Sequence, residues 1–321
     1  MKGILLINLG STKSYEVEDV KAYLDEFLMD KYAVDLPYTL RSLVVRGIIL
    51  KARPPKTAEN YKRIWWEEGS PLIVISERTR QKLSDLMDIP VEIGMRYGEP
   101  SLYNSVKSLV DKGVDEIILF PLYPQYTMAT ITTAVERVKE IKAEHFKDLK
   151  LKVLSPFYED SDYIKVLSDK IKTSLEGKDY DHLLFSYHGI PVHHERKTNF
   201  KRNGEKITYR DQCLKTTALV AQKLGLKEGE FSTAFQSRLG PIPWIKPYTD
   251  DHIKSLPSKD IKKLAVVAPA FVADCIETID EIDREAREDF INAGGEEFTY
   301  IPCLNDDNEW VDVLKKWAEQ I

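Results

Sequence analysis

Short runs of consecutive apolar residues alternate along this chain with longer stretches in which apolar residues return every third or fourth position. The runs Gly3–Asn8, Val91–Met95, Glu116–Pro121, Leu151–Leu154, His182–Ser186, Phe231–Phe235, Leu264–Pro269 and Tyr300–Cys303 have the composition of strands covered on both faces. The stretches between most of them have helical periodicity. That alternation predicts an α/β fold with parallel sheets and crossover helices, and its repetition in both halves predicts two similar doubly wound, Rossmann-like units.

One segment departs from the alternation. Leu36–Arg53 carries Leu40, Leu43, Val44, Val45, Ile48, Ile49 and Leu50 with Arg41, Arg46, Lys51 and Arg53 interspersed, and it is too short to span a bilayer. Two readings fit: an amphipathic helix packed on the core, or a greasy lip beside a cleft that holds an apolar ligand or touches a membrane surface.

Composition narrows the class. With 321 residues, 43% hydrophobic and 31% charged, the chain is expected to be soluble and globular, with one large or two moderate domains. The 46 basic against 52 acidic residues, net charge -6, argue against a general nucleic-acid binder, which needs phosphate neutralisation. The N-terminus runs directly into the first strand, so a cytoplasmic protein is expected. Cys213, Cys275 and Cys303 lack C-x-x-C spacing, so neither a disulfide framework nor a cysteine-ligated cluster is expected.

Candidate chemistry gathers at strand ends, where open α/β sheets bind their ligands. His188 terminates one apolar run, although a histidine there is also a common structural hydrogen-bonding residue. Another run leads into Phe271-Val-Ala-Asp274-Cys275-Ile-Glu277-Thr-Ile-Asp280-Glu281. Placed on a helix at 100° per residue, Asp274, Glu277, Glu281, Glu285 and Glu288 share one face, with Arg284 and Arg287 expected elsewhere. The face is either a solvated acidic stripe or one whose first members handle a divalent metal. His193 and His194 follow His188, but Gly189, Ile190 and Pro191 break any helical metal-site spacing. Gly10-Ser11-Thr12-Lys13 is no P-loop and no G-x-G-x-x-G occurs, so ATP and NAD both lose support. Trp244, on a loop stiffened by Pro241 and Pro243, and Tyr61, Trp65 and Trp66 near Gly69-Ser70-Pro71 are either core or the wall of a flat apolar pocket.

Taken together, these segments resemble the ferrochelatases, which insert ferrous iron into a porphyrin to make haem. The resemblance is carried by Gly3-Ile-Leu-Leu-Ile-Asn-Leu-Gly10, Arg53-Pro-Pro-Lys56, Gly69-Ser-Pro-Leu72, Gly94-Met-Arg96-Tyr97-Gly98, Pro121-Leu-Tyr-Pro-Gln-Tyr126, Ser186-Tyr-His188-Gly-Ile-Pro191, Phe235-Gln-Ser-Arg-Leu-Gly-Pro-Ile-Pro-Trp244 and Phe271 to Glu281, and it covers essentially the whole chain. It implies an N-terminal Rossmann-like domain of residues 1–130 plus 303–321, with a porphyrin lip at about 34–56. It also implies a C-terminal domain of residues 131–302 carrying His188 and Glu277, and an active-site cleft between the two. His188 then corresponds to the family's active-site histidine and Glu277 to the carboxylate facing it, both touching metal. Asp274, Glu281 and Glu285 match an acidic track to the metal. Leu9, Arg53, Tyr61, Ser70, Arg96, Tyr126, Trp244 and Phe271 match the porphyrin pocket, with Arg53 and Ser70 toward the propionates and Arg96 as structural or electrostatic support.

The resemblance further implies Fe2+ and protoporphyrin as substrates, no tightly bound cofactor, and peripheral contact with the inner face of the membrane through Leu36–Arg53. Two departures stand out. Cys275 replaces a histidine of several relatives, and Met128 stands where one ligand of a [2Fe-2S] cluster falls in others, so no cluster is expected. Coproporphyrin as substrate, cobalt insertion into a precorrin-like tetrapyrrole and a non-catalytic porphyrin or haem carrier are the alternatives.

Overall fold

In a computed structural model that describes residues 1–321, each of the apolar runs is a strand. β1 (Lys2–Gly10), β2 (Val91–Tyr97), β3 (Glu116–Pro121) and β4 (Lys150–Val153) form a parallel sheet in the order β2-β1-β3-β4. Ile4 to Ile7 of β1 are wholly buried, as a strand covered by helices on both faces must be. A second parallel sheet contains β5 (His182–His188), β8 (Phe231–Gln236), β9 (Lys263–Val267) and β10 (Glu297–Ile301), in the order β10-β9-β5-β8. β10 begins and ends earlier than the apolar pattern suggests, because Pro302 has no N–H to continue the ladder.

Between β5 and β8 lies a hairpin that the pattern does not reveal, β6 (Lys201–Arg202) and β7 (Glu205–Lys206). Its strands are charged throughout and carry no apolar alternation. Asn203 (φ 53°) and Gly204 (φ 85°) supply the left-handed pair that a two-residue hairpin turn requires.

The chain divides into two compact units, residues 1–123, 127–155 and 306–321 in the first and residues 124–126 and 156–305 in the second. The boundary expected at 130 is displaced, and residues 131–155 belong to the first unit. Ala134, Val138 and Ile141 of the helix Thr133–His145 complete the first core with Leu5, Ile7 and Leu119, and β4 hydrogen-bonds to β3. The second core joins Leu184, Leu264 and Val266 to Ile282, Ala286 and Phe290.

The two sheets have the same winding. After β1 the chain adds β2 on one side and β3 on the other; after β5 it adds β8 on one side and β9 on the other. The carboxyl ends of β1 and β5 are therefore the points where strand order reverses, and these are where doubly wound sheets place ligands.

Leu36–Arg53 is helical as expected: Tyr38–Val44, a π-helical turn Val45–Ile49, then Leu50–Ala52. Its apolar residues divide. Val45 and Leu50 are buried, while Tyr38, Leu40, Leu43 (65% exposed) and Ile48 (63% exposed) face outward, so core packing accounts for only part of the segment. No helix in the protein is long and apolar enough to cross a membrane.

Candidate functional site

At the end of β5, His188 lies in register with Gln236 of β8, and Gly189 N–H donates to the Gln236 carbonyl at 2.8 Å. A Cβ on Gly189 would sit 2.8 Å from that oxygen and 3.4 Å from the Trp244 ring, so only glycine lets β8 and the Trp244 loop close on the strand end. The loop is held by Val192 N–H to Pro243 O (3.0 Å), Ile245 N–H to Ile190 O (3.1 Å) and Trp244 Nε1–H to Leu239 O (2.9 Å). Tyr209 donates its hydroxyl to the His188 carbonyl at 2.9 Å, and the Phe271 ring lies edge-on to the imidazole with centroids 6.3 Å apart.

His188 Nδ1 is 2.6 Å from the Gly189 carbonyl oxygen. A carbonyl can only accept, so Nδ1 carries the proton. In the neutral ring, Nε2 then holds the lone pair.

The acidic segment after β9 is not the regular α-helix assumed for the 100° wheel. Ile276–Thr278 is α-helical, Ile279–Ala286 is π-helical and Arg287–Asn292 is α-helical again. The i→i+5 winding shifts side chains around the axis, and such segments concentrate at functional sites. Arg284, expected away from the acidic face, bonds Asp280 (2.6 Å) and Glu285 (2.7 Å) and lies 3.6 Å from Glu288. Glu285 is thus an exposed, paired carboxylate.

Asp274, expected on the acidic track, has both oxygens engaged instead. Tyr300 OH (2.5 Å), Thr278 Oγ1 (3.0 Å) and Cys303 N–H (3.3 Å) donate to one oxygen and Asn305 Nδ2 (2.7 Å) to the other. Its backbone N–H in turn donates to Asn305 Oδ1 at 2.8 Å. Five hydrogen bonds to a residue only 7% exposed make it an anchor for the turn that launches Glu277.

Glu277 and Glu281 face a different environment. Gln236 Nε2 donates to the Glu277 carbonyl at 2.7 Å, and Ser237 donates its hydroxyl to Glu281. Burial, then the neighbouring Glu277 charge, pushes the Glu281 carboxyl up to about 8, against the lowering effect of its Ser237 and Gln236 hydrogen bonds. The Cys275 thiol is buried and its pKa is raised, by burial first and by Glu277 next.

At the end of β1 the Tyr23 hydroxyl donates to the Gly10 carbonyl at 3.3 Å, and the strand's own side chains there carry no charge. Asn8 Oδ1 accepts from Leu9 N–H at 2.9 Å, and Ser70 Oγ bonds Ser11 Oγ at 2.7 Å, both serines being buried. Tyr61 is buried among aromatic rings, edge-on to Tyr23 and Trp65. Arg53 is exposed at the start of the helix Pro54–Ile64. Arg96 is committed within the unit: it pairs with buried Asp30 at 2.5 Å, and Thr133 and Tyr97 donate to the same carboxylate. Tyr126, in the second unit, stacks on Phe200 at 5.2 Å, its N–H bonded to Gln212.

In the second unit, then, Trp244 and Phe271 lie beside Gly189 and His188 at the end of β5, and Gln236, in register with His188, bonds the Glu277 backbone and approaches the Glu281 carboxylate. Gln236, Ser237, Tyr209 and Tyr300 were not among the predicted residues. The rule that singles out His188 applies equally to Gln236 and Ser237, which end the neighbouring apolar run.

The Ferrochelatase family model matches residues 1–321. A ferrochelatase of Pseudomonas fluorescens strain Pf-5 is 44% identical over 332 aligned positions, covering 99% of this chain and 97% of that one. One of Pseudomonas entomophila is 45% identical, covering 98% of each. Among solved structures, SirB from Bacillus subtilis with Fe3+ aligns at TM-score 0.60 and 12% identity, covering 99% of this chain and 94% of that one. The sirohydrochlorin chelatase SirB from Bacillus subtilis subspecies spizizenii in complex with cobalt aligns at TM-score 0.58 and 9% identity, with the same coverage. At those identities the likeness is one of fold.

Proposed function

The chain belongs to the ferrochelatase family, and we propose that it inserts Fe2+ into protoporphyrin IX, without ATP, through His188 and Glu277 at the end of its second sheet. The enzyme's activity is iron insertion into a porphyrin, a step of haem biosynthesis. Cobalt insertion and a non-catalytic carrier are not favoured.

The observation that carries the assignment of residues is the hydrogen bond between His188 Nδ1 and the Gly189 carbonyl. Metallation removes two pyrrole protons, and an imidazole whose Nδ1–H is held by a carbonyl offers its Nε2 lone pair to one of them. Glu277 delivers the metal or accepts the second proton, and Glu281 lies one step behind it, held by Ser237. Glu285, exposed and paired, contributes only to the local negative field. Asp274 supports the turn. Iron is a substrate in this scheme, and mixed imidazole and carboxylate ligands suit it because they release it again.

A planar macrocycle hides its N–H bonds in its own plane. Contacts with the ring faces and propionates supply the ~1–5 kcal/mol of strain that tips them out. Trp244, Phe271, Leu9 and Tyr126 are the assigned ring contacts, Ser70 and Arg53 the propionate contacts, and Tyr61 and Arg96 the support behind them. The exposed Leu40, Leu43 and Ile48 form a lip suited to an apolar ligand or to peripheral membrane contact.

The test is metal insertion into protoporphyrin, coproporphyrin and a precorrin analogue with Fe2+, Zn2+ and Co2+. The highest kcat/KM is expected for Fe2+ and protoporphyrin. A preference for coproporphyrin would change the substrate, and cobalt insertion into the precorrin analogue would change the assigned reaction.

A further inference from the structure

The end of β8 is tied to the acidic segment by a chain of buried polar groups that the scheme above does not use. Ser186 Oγ, in the middle of β5, donates to Gln236 Oε1 at 2.8 Å and is shared with Thr249 Oγ1 at 2.9 Å. Both hydroxyls are buried, and Gln236 is 5% exposed. Engaging Oε1 from the sheet side fixes which way the carboxamide points. Nε2 therefore faces the segment after β9, donating to the Glu277 carbonyl at 2.7 Å with Glu281 Oε2 at 3.4 Å.

Ser237, the next residue, has φ 66°. That left-handed conformation disfavours every side chain relative to glycine, yet the position carries serine, and its hydroxyl reaches Glu281 Oε2. Gln236 is meanwhile the residue in register with His188. One dipeptide thus touches the backbone of Glu277 and the side chain of Glu281 while belonging to the same strand pair as the imidazole.

We infer that Gln236 and Ser237 are positioning residues for iron insertion: Gln236 holds the Glu277 backbone at a fixed place relative to His188, and Ser237 holds the Glu281 carboxylate that passes metal to Glu277. This rests on the roles proposed above for His188 and Glu277. Residues supporting metal-binding groups typically change affinity or activity by about 10–100-fold when lost.

The test measures kcat, metal KM and porphyrin Kd with Zn2+ and protoporphyrin, alongside thermal melting, for Ser237→Gly, Ser237→Asn, Gln236→Met and Glu277→Gln. Ser237→Gly keeps the backbone geometry and removes only the hydroxyl. It is expected to raise metal KM about 10-fold, with kcat and porphyrin Kd within about 2-fold of the parent. Ser237→Asn, which tolerates left-handed φ and retains a donor, is expected to recover metal KM to within about 3-fold. Gln236→Met, of similar length and without a donor, cannot bond the Glu277 carbonyl and is expected to lower kcat at least about 10-fold with porphyrin Kd unchanged.

A parental metal KM in Ser237→Gly, or equal impairment in the glycine and asparagine variants, overturns the role of Ser237. If Gln236→Met fails to fold, Gln236→Ser, too short to reach the Glu277 carbonyl, takes its place, and a parental kcat in it overturns the role of Gln236. Full turnover in Glu277→Gln would sink the proposed function itself. Collapse of Glu277→Gln beside parental Ser237 and Gln236 variants would sink only the positioning role.

Discussion

The carboxyl ends of β1 and β5 are topological equivalents with opposite chemistry. Each terminates the strand about which its sheet reverses order. The first presents Asn8, Ser11, Ser70 and the Tyr23 hydroxyl, hydrogen-bonding groups with neither imidazole nor carboxylate among them. The second presents His188 and, through Gln236, Glu277 and Glu281. One winding therefore carries two different sets of strand-end groups. A neutral strand end can grip a ligand, and only one with titratable groups can exchange protons and metal with it.

The contrast predicts which variants lose turnover and which lose affinity. Glu277→Gln should lower kcat by about 100-fold or more, whereas Ser70→Ala should raise porphyrin KM by only a few-fold and leave kcat unchanged. Steady-state titration of both substrates separates the two. Equal losses in both variants would erase the distinction between the strand ends.

Asp274→Asn should act on stability. The amide would place a donor among groups that already donate to Asp274, costing about 2–3 kcal/mol and lowering Tm by several degrees. Thermal melting without ligands checks this. An unchanged Tm accompanied by a large rise in metal KM would return Asp274 to the metal path.

Glu281 gives a pH dependence of defined sign. Its folded-state value of about 8 lies above the usual carboxylate range, so the fold favours the protonated form. That contribution is fully present below the unfolded value, falls as pH rises and is gone once pH passes the folded value. Glu281→Gln should therefore gain stability relative to the parent between about pH 5 and pH 9. A Tm difference that does not vary with pH would mean that the carboxyl is not enclosed. Glu285→Gln, removing an exposed and paired group, should raise metal KM slightly, and salt should mimic it.

The smallest expected change in stability belongs to the lip. Leu43→Ser and Ile48→Ser should shift stability by no more than about 0.5 kcal/mol, because both side chains are already exposed, while weakening porphyrin or vesicle binding. Unfolding of that double variant would instead assign the segment to the core.

Much of this was legible in the apolar runs. Buried parallel strands announce themselves, and His188 stands out because it ends one. The π-helical winding of Ile279–Ala286 was not legible, since apolar periodicity does not distinguish i→i+5 from i→i+4 bonding over a short segment. The Arg284 pairs with Asp280 and Glu288 are ordinary i,i+4 contacts that a regular helix also allows, and they were missed because Arg284, which borders the acidic face at 100° per residue, was placed off it. Asp274 was placed on the acidic track with no sign of its hydrogen-bond partners, because Tyr300 and Asn305 lie 26 and 31 residues away in sequence. The unit boundary was misplaced because an amphipathic helix such as Thr133–His145 carries no mark of which sheet it covers.

The central claim is that proton exchange occurs at the end of β5. It is tested most directly by His188→Ala, measuring Fe2+ insertion and protoporphyrin affinity on the same preparation. The account predicts a loss of turnover of at least about 100-fold with porphyrin Kd nearly unchanged, because ring contacts rather than one imidazole carry the affinity. Insertion at a near-parental rate would contradict it.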